Sequence, residues 1–424
     1  MRETIKTIIK DFHASDFIKY KKRELKVPLS AGKIISIIGP RRSGKTYYLF
    51  QIMDEISKTA KKESIIYINF EDERLNLKRE NLGEIIEAYY EMYPESKEIY
   101  LFFDEIQNID GWDKFVRRMY DTVTKKIFIT GSSSHLLSKE IASSLRGRTL
   151  AYNLFPLSFR EFLEFKGIDW TDRHSTKNKA RIRREYSLYL ERGGFPETVE
   201  YNRETWKKTM QSYFDVMVYR DIIERYDVRN PKVLKDFIKI CLSNTSRIIS
   251  INKYYNQLKQ NKYKISNNQL YEFLDYMDDS FIVLKLPKYS PSVIKQMLSY
   301  SKVYSIDTGI VNAVSFKSSE DYGRIIENAV FIELKRRDKE VYYHKDKSEC
   351  DFIIKEGNKI KQAIQVTKEL SEENKKREIN GLMEAMQNYN ITEGIILTDE
   401  QESIFKENGK KIAIKPIWKW MLEE

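Results

Sequence analysis

Between residues 33 and 46 a short β-branched run, KIISIIG, passes directly into Gly39-Pro40-Arg41-Arg42-Ser43-Gly44-Lys45-Thr46, and Tyr47-Tyr48-Leu49-Phe50-Gln51-Ile52-Met53 continues as an amphipathic helix. The eight central residues fit G-x-x-x-x-G-K-[ST] in the strand–loop–helix setting that the pattern requires. The spacing has a physical reason. Glycines let main-chain N–H groups curl around phosphate oxygens, and the following helix adds the positive end of its dipole. Lys45 would reach the β- and γ-phosphates, and Thr46 would place its hydroxyl on Mg²⁺. The expected nucleotide-contact set runs from Gly39 through Tyr47, with Arg41 and Arg42 at the phosphate edge. A chance match in a glycine turn is the alternative, and the flanking strand and helix weigh against it.

Three further runs resemble the first: SIIYINF (64–70), EIYLFFD (98–104) and KKIFITG (125–131). Apolar residues on consecutive positions predict strands buried on both faces, hence a parallel sheet covered by helices in an α/β fold. Ligands bind at the carboxyl edge of such sheets. Asp104 emerges there and is expected to hold Mg²⁺, with Glu105 orienting and deprotonating the attacking water. Two adjacent carboxylates could also cap the next helix. At the end of the fourth run, Thr130 and Ser132, with Ser133 and Ser134 beyond, could touch the γ-phosphate or the water, or form a solvated turn. Asn69 could restrain Glu105. Arg146 and Arg148, in LRGR, could meet charge spreading over the γ-phosphate, in cis or across a subunit interface, or be a surface pair.

At 424 residues the chain has room for two to four domains. Its 41% hydrophobic content excludes intrinsic disorder. Two distant cysteines, Cys241 and Cys350, exclude a disulfide scaffold. No run approaches the ~18 apolar residues of a membrane helix. The N-terminal apolar residues are interrupted by Lys10 and Asp11 before a signal-peptide core could form. A cytoplasmic protein with no membrane partner is expected. The net charge of +11 suits an anionic partner and a lysine-rich solubilised surface equally.

GPRRSGKT, FFDEIQNI, ITGSSSHLL, LRGR followed by LFPLSFREFL, and GGFPE together resemble a family of prokaryotic AAA-type ATPases, common in archaea and related to the signalling ATPases with numerous domains. The resemblance covers essentially the whole chain. It implies a P-loop, AAA-like parallel sheet (1–155), a helical lid (156–230), a winged helix (231–305) and an α/β domain like restriction endonucleases (306–424). ATP and Mg²⁺ are the implied cofactors, and a homo-oligomer is compatible with it. It also implies that Gly193-Gly194-Phe195-Pro196 is the lid element, with Pro196 reaching back to the nucleotide. Taken alone, that segment is a turn between helices.

Residues 231–305 carry 12 Lys and Arg against 5 Asp and Glu, which suits phosphate contacts. Ile251–Leu258 and a second helix capped by Ser266 read as helix–turn–helix, with Leu270, Phe273, Leu274 and Met277 as a core stripe. That second helix exposes Glu272, Asp275, Asp278 and Asp279. DNA contact is therefore expected from Asn267, Asn268 and Gln269 and from the wing lysines Lys285 and Lys288. A protein-binding winged helix is the alternative. In the C-terminal segment Glu327 lies on a helix, Asp351 on a strand and Gln365 on the next strand. Nucleases of this order gather carboxylates around Mg²⁺ with a lysine beside the attacking water. Here Gln365-Val366-Thr367 stands where Glu-x-Lys is usual, and Lys368 falls on the other face. A degenerate site is expected, the fold being kept for DNA or protein binding. His344 nearby reads as structural, and Trp418 and Trp420 as packing on one shared face. Three functions stay open: an ATPase acting on nucleic acid, a nucleotide-gated switch for a protein partner, and an ATP-regulated metal-dependent nuclease.

Overall fold

The computed structural model describes residues 1–132, 145–172, 175–315 and 322–423, so Ser133 and Ser134 lie outside the described residues. The chain divides into two compact units, Met1–Leu154 and Phe155–Glu424.

The first unit is built on a five-stranded sheet of β1 (Ile34–Ile38), β2 (Ile65–Asn69), β3 (Tyr100–Asp104), β4 (Ile127–Gly131) and β5 (Thr149–Asn153). The order is β2-β3-β4-β1-β5, and every pairing is parallel. Every residue of β1, β3 and β4 is buried, as their unbroken apolar runs require. The fifth strand has no such run; it is an edge strand, half exposed along its length. Helices α1 (Arg2–Ala14), α2 (Lys45–Ser57), α3 (Glu84–Met92) and α4 (Trp112–Thr122) complete the unit. Tyr48, Leu49, Ile52, Met53 and Ile56 of α2 fall at helical spacing and pack on Ile35, Ile37, Phe102 and Phe128. Burial of each is worth about 1.5–3 kcal/mol, so this helix is fixed on the sheet. The N-terminal residues form α1, whose Ile5, Ile8 and Ile9 are buried, while His13 Nε2 lies 2.8 Å from the Ile65 carbonyl of β2.

The second unit opens with helices Phe159–Phe165, Thr176–Arg192 and Arg203–Val216. Helix Pro231–Ser243, strand β6 (Arg247–Ile248), helices Ile251–Gln260 and Asn267–Asp279, and strands β7 (Val283–Leu286) and β8 (Lys302–Ser305) follow, with the sheet ordered β6-β8-β7. Helix Thr308–Val314 then packs back on the early helices: Asn312 Nδ2 donates to Leu190 O at 2.9 Å, and Gln211 Nε2 to Ala313 O at 3.1 Å. A boundary at 306 separates this helix from the helices it rests on.

Helix Tyr322–Arg336 leads into a six-stranded sheet ordered β13-β14-β12-β11-β10-β9. Its strands are β9 (Glu340–Lys345), β10 (Glu349–Glu356), β11 (Lys359–Val366), β12 (Glu393–Thr398), β13 (Ser403–Glu407) and β14 (Lys410–Pro416). The first three are antiparallel, β11, β12 and β14 are parallel, and β13 hairpins onto β14. Helix Lys375–Asn388 buries Leu382, Ala385 and Met386 against Ile353, Ala363 and Ile396. Trp418 and Trp420 lie on helix Ile417–Met421, not on a strand. Two residues on a helix are ~200° apart, so they point to opposite sides, and both are buried. No helix among the described residues is long and apolar enough to cross a membrane.

Candidate nucleotide site

Gly39 follows β1 and is tied by its N–H to Gly131 O at 3.4 Å. A methyl group on Gly39 would overlap the Leu154 carbonyl, so only glycine fits there. Arg42 (φ 66°) and Gly44 (φ 94°) take left-handed conformations, which curl the loop before α2 begins at Lys45. Ser43 N donates to Pro40 O at 3.2 Å, while the buried Ser43 hydroxyl has no protein partner. Arg41 pairs with Glu71 at 3.1 Å, and Tyr47 is 52% exposed at the start of α2.

Lys45 is 4% exposed. Its ammonium donates to Gly39 O at 3.1 Å and Pro40 O at 3.2 Å, and lies 3.1 Å from Glu105 Oε1. All three donors are taken. Thr46 Oγ1 donates to Asp104 Oδ2 at 2.7 Å. Thr130 joins the two acids: its hydroxyl donates to Asp104 Oδ1 and accepts from Glu105 N at 2.8 Å. Burial pushes Asp104 above its ordinary range, and the Glu105 charge adds to this. Burial acts on Glu105 in the same sense, but the Lys45 ammonium, Gln107 and Arg41 outweigh it and hold Glu105 below the usual carboxylate range. Glu105 therefore stands as an ionised base in a buried site.

The residues fit a nucleotide with Mg²⁺. An unpartnered buried hydroxyl, a buried ammonium and a hydroxyl–carboxylate pair face one loop, and the Thr46–Asp104 oxygens are the hard donors that Mg²⁺ takes. The sequence-selected residues Lys45, Thr46, Asp104, Glu105 and Thr130 converge here. Three neighbours were missed. Gln107 donates to Glu105 Oε2 and reaches Ser132 Oγ at 3.4 Å. Tyr67 donates to Asp104 Oδ2 at 3.2 Å. Arg23, 8% exposed, donates to Ser43 O at 2.7 Å and braces the loop. The restraint on Glu105 assigned to Asn69 is supplied by Gln107; Asn69 Oδ1 accepts from Glu71 N at 2.9 Å.

Arg146 and Arg148 precede β5, which runs parallel to β1, and Arg148 O accepts from Ile34 N, the first residue of β1, at 2.8 Å. They lie at the amino edge of the sheet. The phosphate loop is at the other edge, about 16 Å away at 3.3 Å per residue. This geometry is set against a role in cis. Arg148 is also paired with Asp121 at 3.0 Å, whereas Arg146 is exposed.

Pro196 belongs to the second unit and opens the short turn Pro196–Thr198. The close approaches its glycines permit are made within that unit: a methyl group on Gly193 would overlap the Asp307 carboxylate, and one on Gly194 the Leu157 carbonyl. The wing lysines are already ion-paired, Lys285 with Asp275 at 2.5 Å and Lys288 with Asp346 at 3.3 Å. Gln269 accepts from Ser266 N at 2.9 Å in a capping box, and Asn267 donates to Asn252 at 2.8 Å. Of the five expected DNA contacts only Asn268 is exposed.

Glu327, on helix Tyr322–Arg336, and Asp351, on β10, come together around one lysine, and Gln365 lies beside Asp351 without contacting that lysine's ammonium. Its Oε1 accepts from Asp351 N at 3.3 Å and its Nε2 donates to Glu378 at 2.7 Å. The space between the acids holds the ammonium of Lys302. A catalytic metal does not fit this arrangement. His344, Asp346 and Glu384 offer ligand atoms within 4.8 Å of one another. Glu384 accepts main-chain N–H bonds from Lys347 and Ser348 at 3.0 Å and lies 3.1 Å from His344 Nε2, so the three residues hold the turn between β9 and β10.

Residues 31–163 match the family described as an AAA domain. Residues 183–321 and 322–420 match two domains of unknown function, DUF8612 and DUF4143. With the loop geometry, this makes the first unit a P-loop, AAA-like ATPase domain. Over 413 residues the chain is 41% identical to the uncharacterized protein MJ1544 of Methanocaldococcus jannaschii, covering 94% of this chain and 90% of that protein. It is 32% identical over 360 residues to an uncharacterized protein of Haemophilus influenzae, covering 84% and 87%. The chain belongs to the family of which these two are members. The Walker-type ATPase PABY2304 of Pyrococcus abyssi superposes with a TM-score of 0.42 at 15% identity, over 74% of this chain and 95% of that one.

Proposed function

We propose that this chain is a Mg²⁺-dependent ATPase whose nucleotide cycle acts on a nucleic acid held by residues 231–305. The convergence of Lys45, Thr46, Asp104 and Glu105 at the carboxyl edge of one sheet carries the ATPase reading. Lys45 exchanges its loop carbonyls and Glu105 for β- and γ-phosphate oxygens. Thr46 and Asp104 would hold Mg²⁺, which when bound neutralises charge on those phosphates. Glu105, released from Lys45 and steered by Gln107, orients a water and takes its proton as the water oxygen attacks the γ-phosphorus and the bond from that phosphorus to the β–γ bridging oxygen breaks, leaving ADP and inorganic phosphate. Thr130 keeps both acids in place. Arg146 would serve only the site of a neighbouring copy, which makes an oligomer the active form. Phosphate release from ATP measured with Mg²⁺ and with EDTA tests this. A rate indifferent to EDTA and to Lys45→Ala would refute it.

Helix–strand–helix–helix–strand–helix–strand over 231–305, with the short helix Val293–Met297 between β7 and β8, supports a winged helix in which that helix interrupts the wing. Its exposed lysines at 253, 259, 262 and 264 offer phosphate contacts in place of the paired wing lysines. Binding of a labelled duplex should fall steeply with salt. A second reading, a nucleotide-gated switch for a protein partner, is favoured by one observation: Val293, Ile294, Met297 and Leu298, between β7 and β8, are 70–81% exposed. Flat salt dependence, or no duplex binding, would support that reading instead.

A further inference from the structure

Lys302 opens β8, and its side chain is 1% exposed. The ammonium lies 3.1 Å from Glu327 Oε1, 2.8 Å from Glu349 Oε1 and 2.9 Å from Asp351 Oδ1. Glu327 comes from helix Tyr322–Arg336, and Glu349 and Asp351 come from β10. The lysine therefore belongs to the segment matched over 183–321, and all three carboxylates belong to the segment matched over 322–420.

A buried lysine beside two acids of a nuclease-like site could stand in for the lysine that steadies an attacking water. The donor count is against this. An ammonium has three N–H donors, and three carboxylates take them, so none is left for a water. The lysine sits between the acids, where a divalent ion would have to be. Two of the carboxylates accept a further protein donor each. Glu327 Oε1 accepts from Tyr304 OH at 2.7 Å, and Asp351 Oδ2 accepts from Val366 N at 3.0 Å. Charge is balanced without a metal. Glu349 has a second cation, Lys345, at 3.1 Å. Burial, reinforced by the Asp351 charge, pushes Glu327 up to about 8.

We propose that Lys302 is the resident cation of this cluster, supplied from outside the carboxylates' own domain, so that a divalent ion cannot bind there while β8 is docked. The proposal rests on the nuclease-like reading of the C-terminal segment only for what a metal would do there; the exclusion itself rests on the Lys302 geometry. Manganese uptake by the full chain, followed by electron paramagnetic resonance without nucleotide, tests it. The wild-type protein should bind no Mn²⁺ that Asp351→Asn removes. Lys302→Ala should gain about one bound Mn²⁺ per chain, lost again when Asp351→Asn is added. If Lys302→Ala does not fold, Lys302→Ala with Glu349→Gln, which removes one charge of each sign, carries the same test. Asp351-dependent Mn²⁺ binding by the wild type would overturn the proposal, and so would a folded Lys302 variant that takes up none. Should the variant bind Mn²⁺ yet cut no DNA, the exclusion stands and only the nuclease-like reading falls.

Discussion

Lys45 Nζ and Glu105 Oε1 lie 3.1 Å apart in a site almost closed to solvent, so in the proposed ATPase the cation for phosphate and the base for water share one ion pair. On that proposal phosphate oxygens would compete with Glu105 for the ammonium, and nucleotide uptake would free the base. Glu105→Gln removes the competitor and the base together. It should keep or tighten ATP binding by calorimetry and slow hydrolysis by roughly 10²–10⁴-fold, the usual contribution of a general base. Wild-type turnover in this variant would assign the base elsewhere.

Lys45→Met should abolish ATP uptake. It should also destabilise the first unit, because Glu105 is left buried without its counter-ion; losing one partner of such a pair costs about 3–5 kcal/mol. The double variant Lys45→Met/Glu105→Gln removes the stranded Glu105 charge. Its thermal midpoint should lie above that of Lys45→Met alone, although neither binds ATP. Equal midpoints would mean that the pair is not formed in the unliganded protein.

Thr130 is the residue through which the two acids are coupled. Thr130→Val keeps the shape of the side chain and removes the hydroxyl. The Glu105 N–H and Asp104 Oδ1 each lose a partner, at about 1–3 kcal/mol for a buried group left unsatisfied. The expected outcome is a folded protein with lowered kcat and little change in KM for ATP, and Thr130→Ser should restore the rate. A matching loss in the serine variant would show that packing by the methyl group, not the hydroxyl, matters.

The loop and its acids were legible because their chemistry is local: glycines, lysine and threonine within eight residues, and an acid pair ending an unbroken apolar strand. What escaped was tertiary. Gln107 and Arg23 carry no pattern of their own and matter only for what folding brings beside them. The edge strand β5 lacks consecutive apolar residues because one side faces solvent, and without it the placement of Arg146 and Arg148 could not be seen. Lys302 is the sharpest case. Counted among the 12 basic residues of 231–305, it favours phosphate binding; in the fold it is buried among acids. Composition records a charge but not its partner.

Asp307 offers a pH-dependent test of the second unit. It is buried, accepts from Gly194 N at 2.7 Å and Gly309 N at 2.8 Å, and joins the turn at Gly193 to helix Thr308–Val314. Burial pushes its carboxyl up to about 6 despite those main-chain donors. The folded protein therefore binds a proton here more tightly than the unfolded chain does. The resulting stability is fully present below the ordinary aspartate range, near pH 4, and is lost as pH rises through about 6. A shift of this size corresponds to roughly 3 kcal/mol. Asp307→Asn removes the titration, so the difference in unfolding free energy between wild type and variant should change by about that amount between pH 4 and pH 7, with the wild type gaining toward acid. Urea denaturation at several pH values measures it. A difference that stays constant across that window would mean that Asp307 is not held in its buried position.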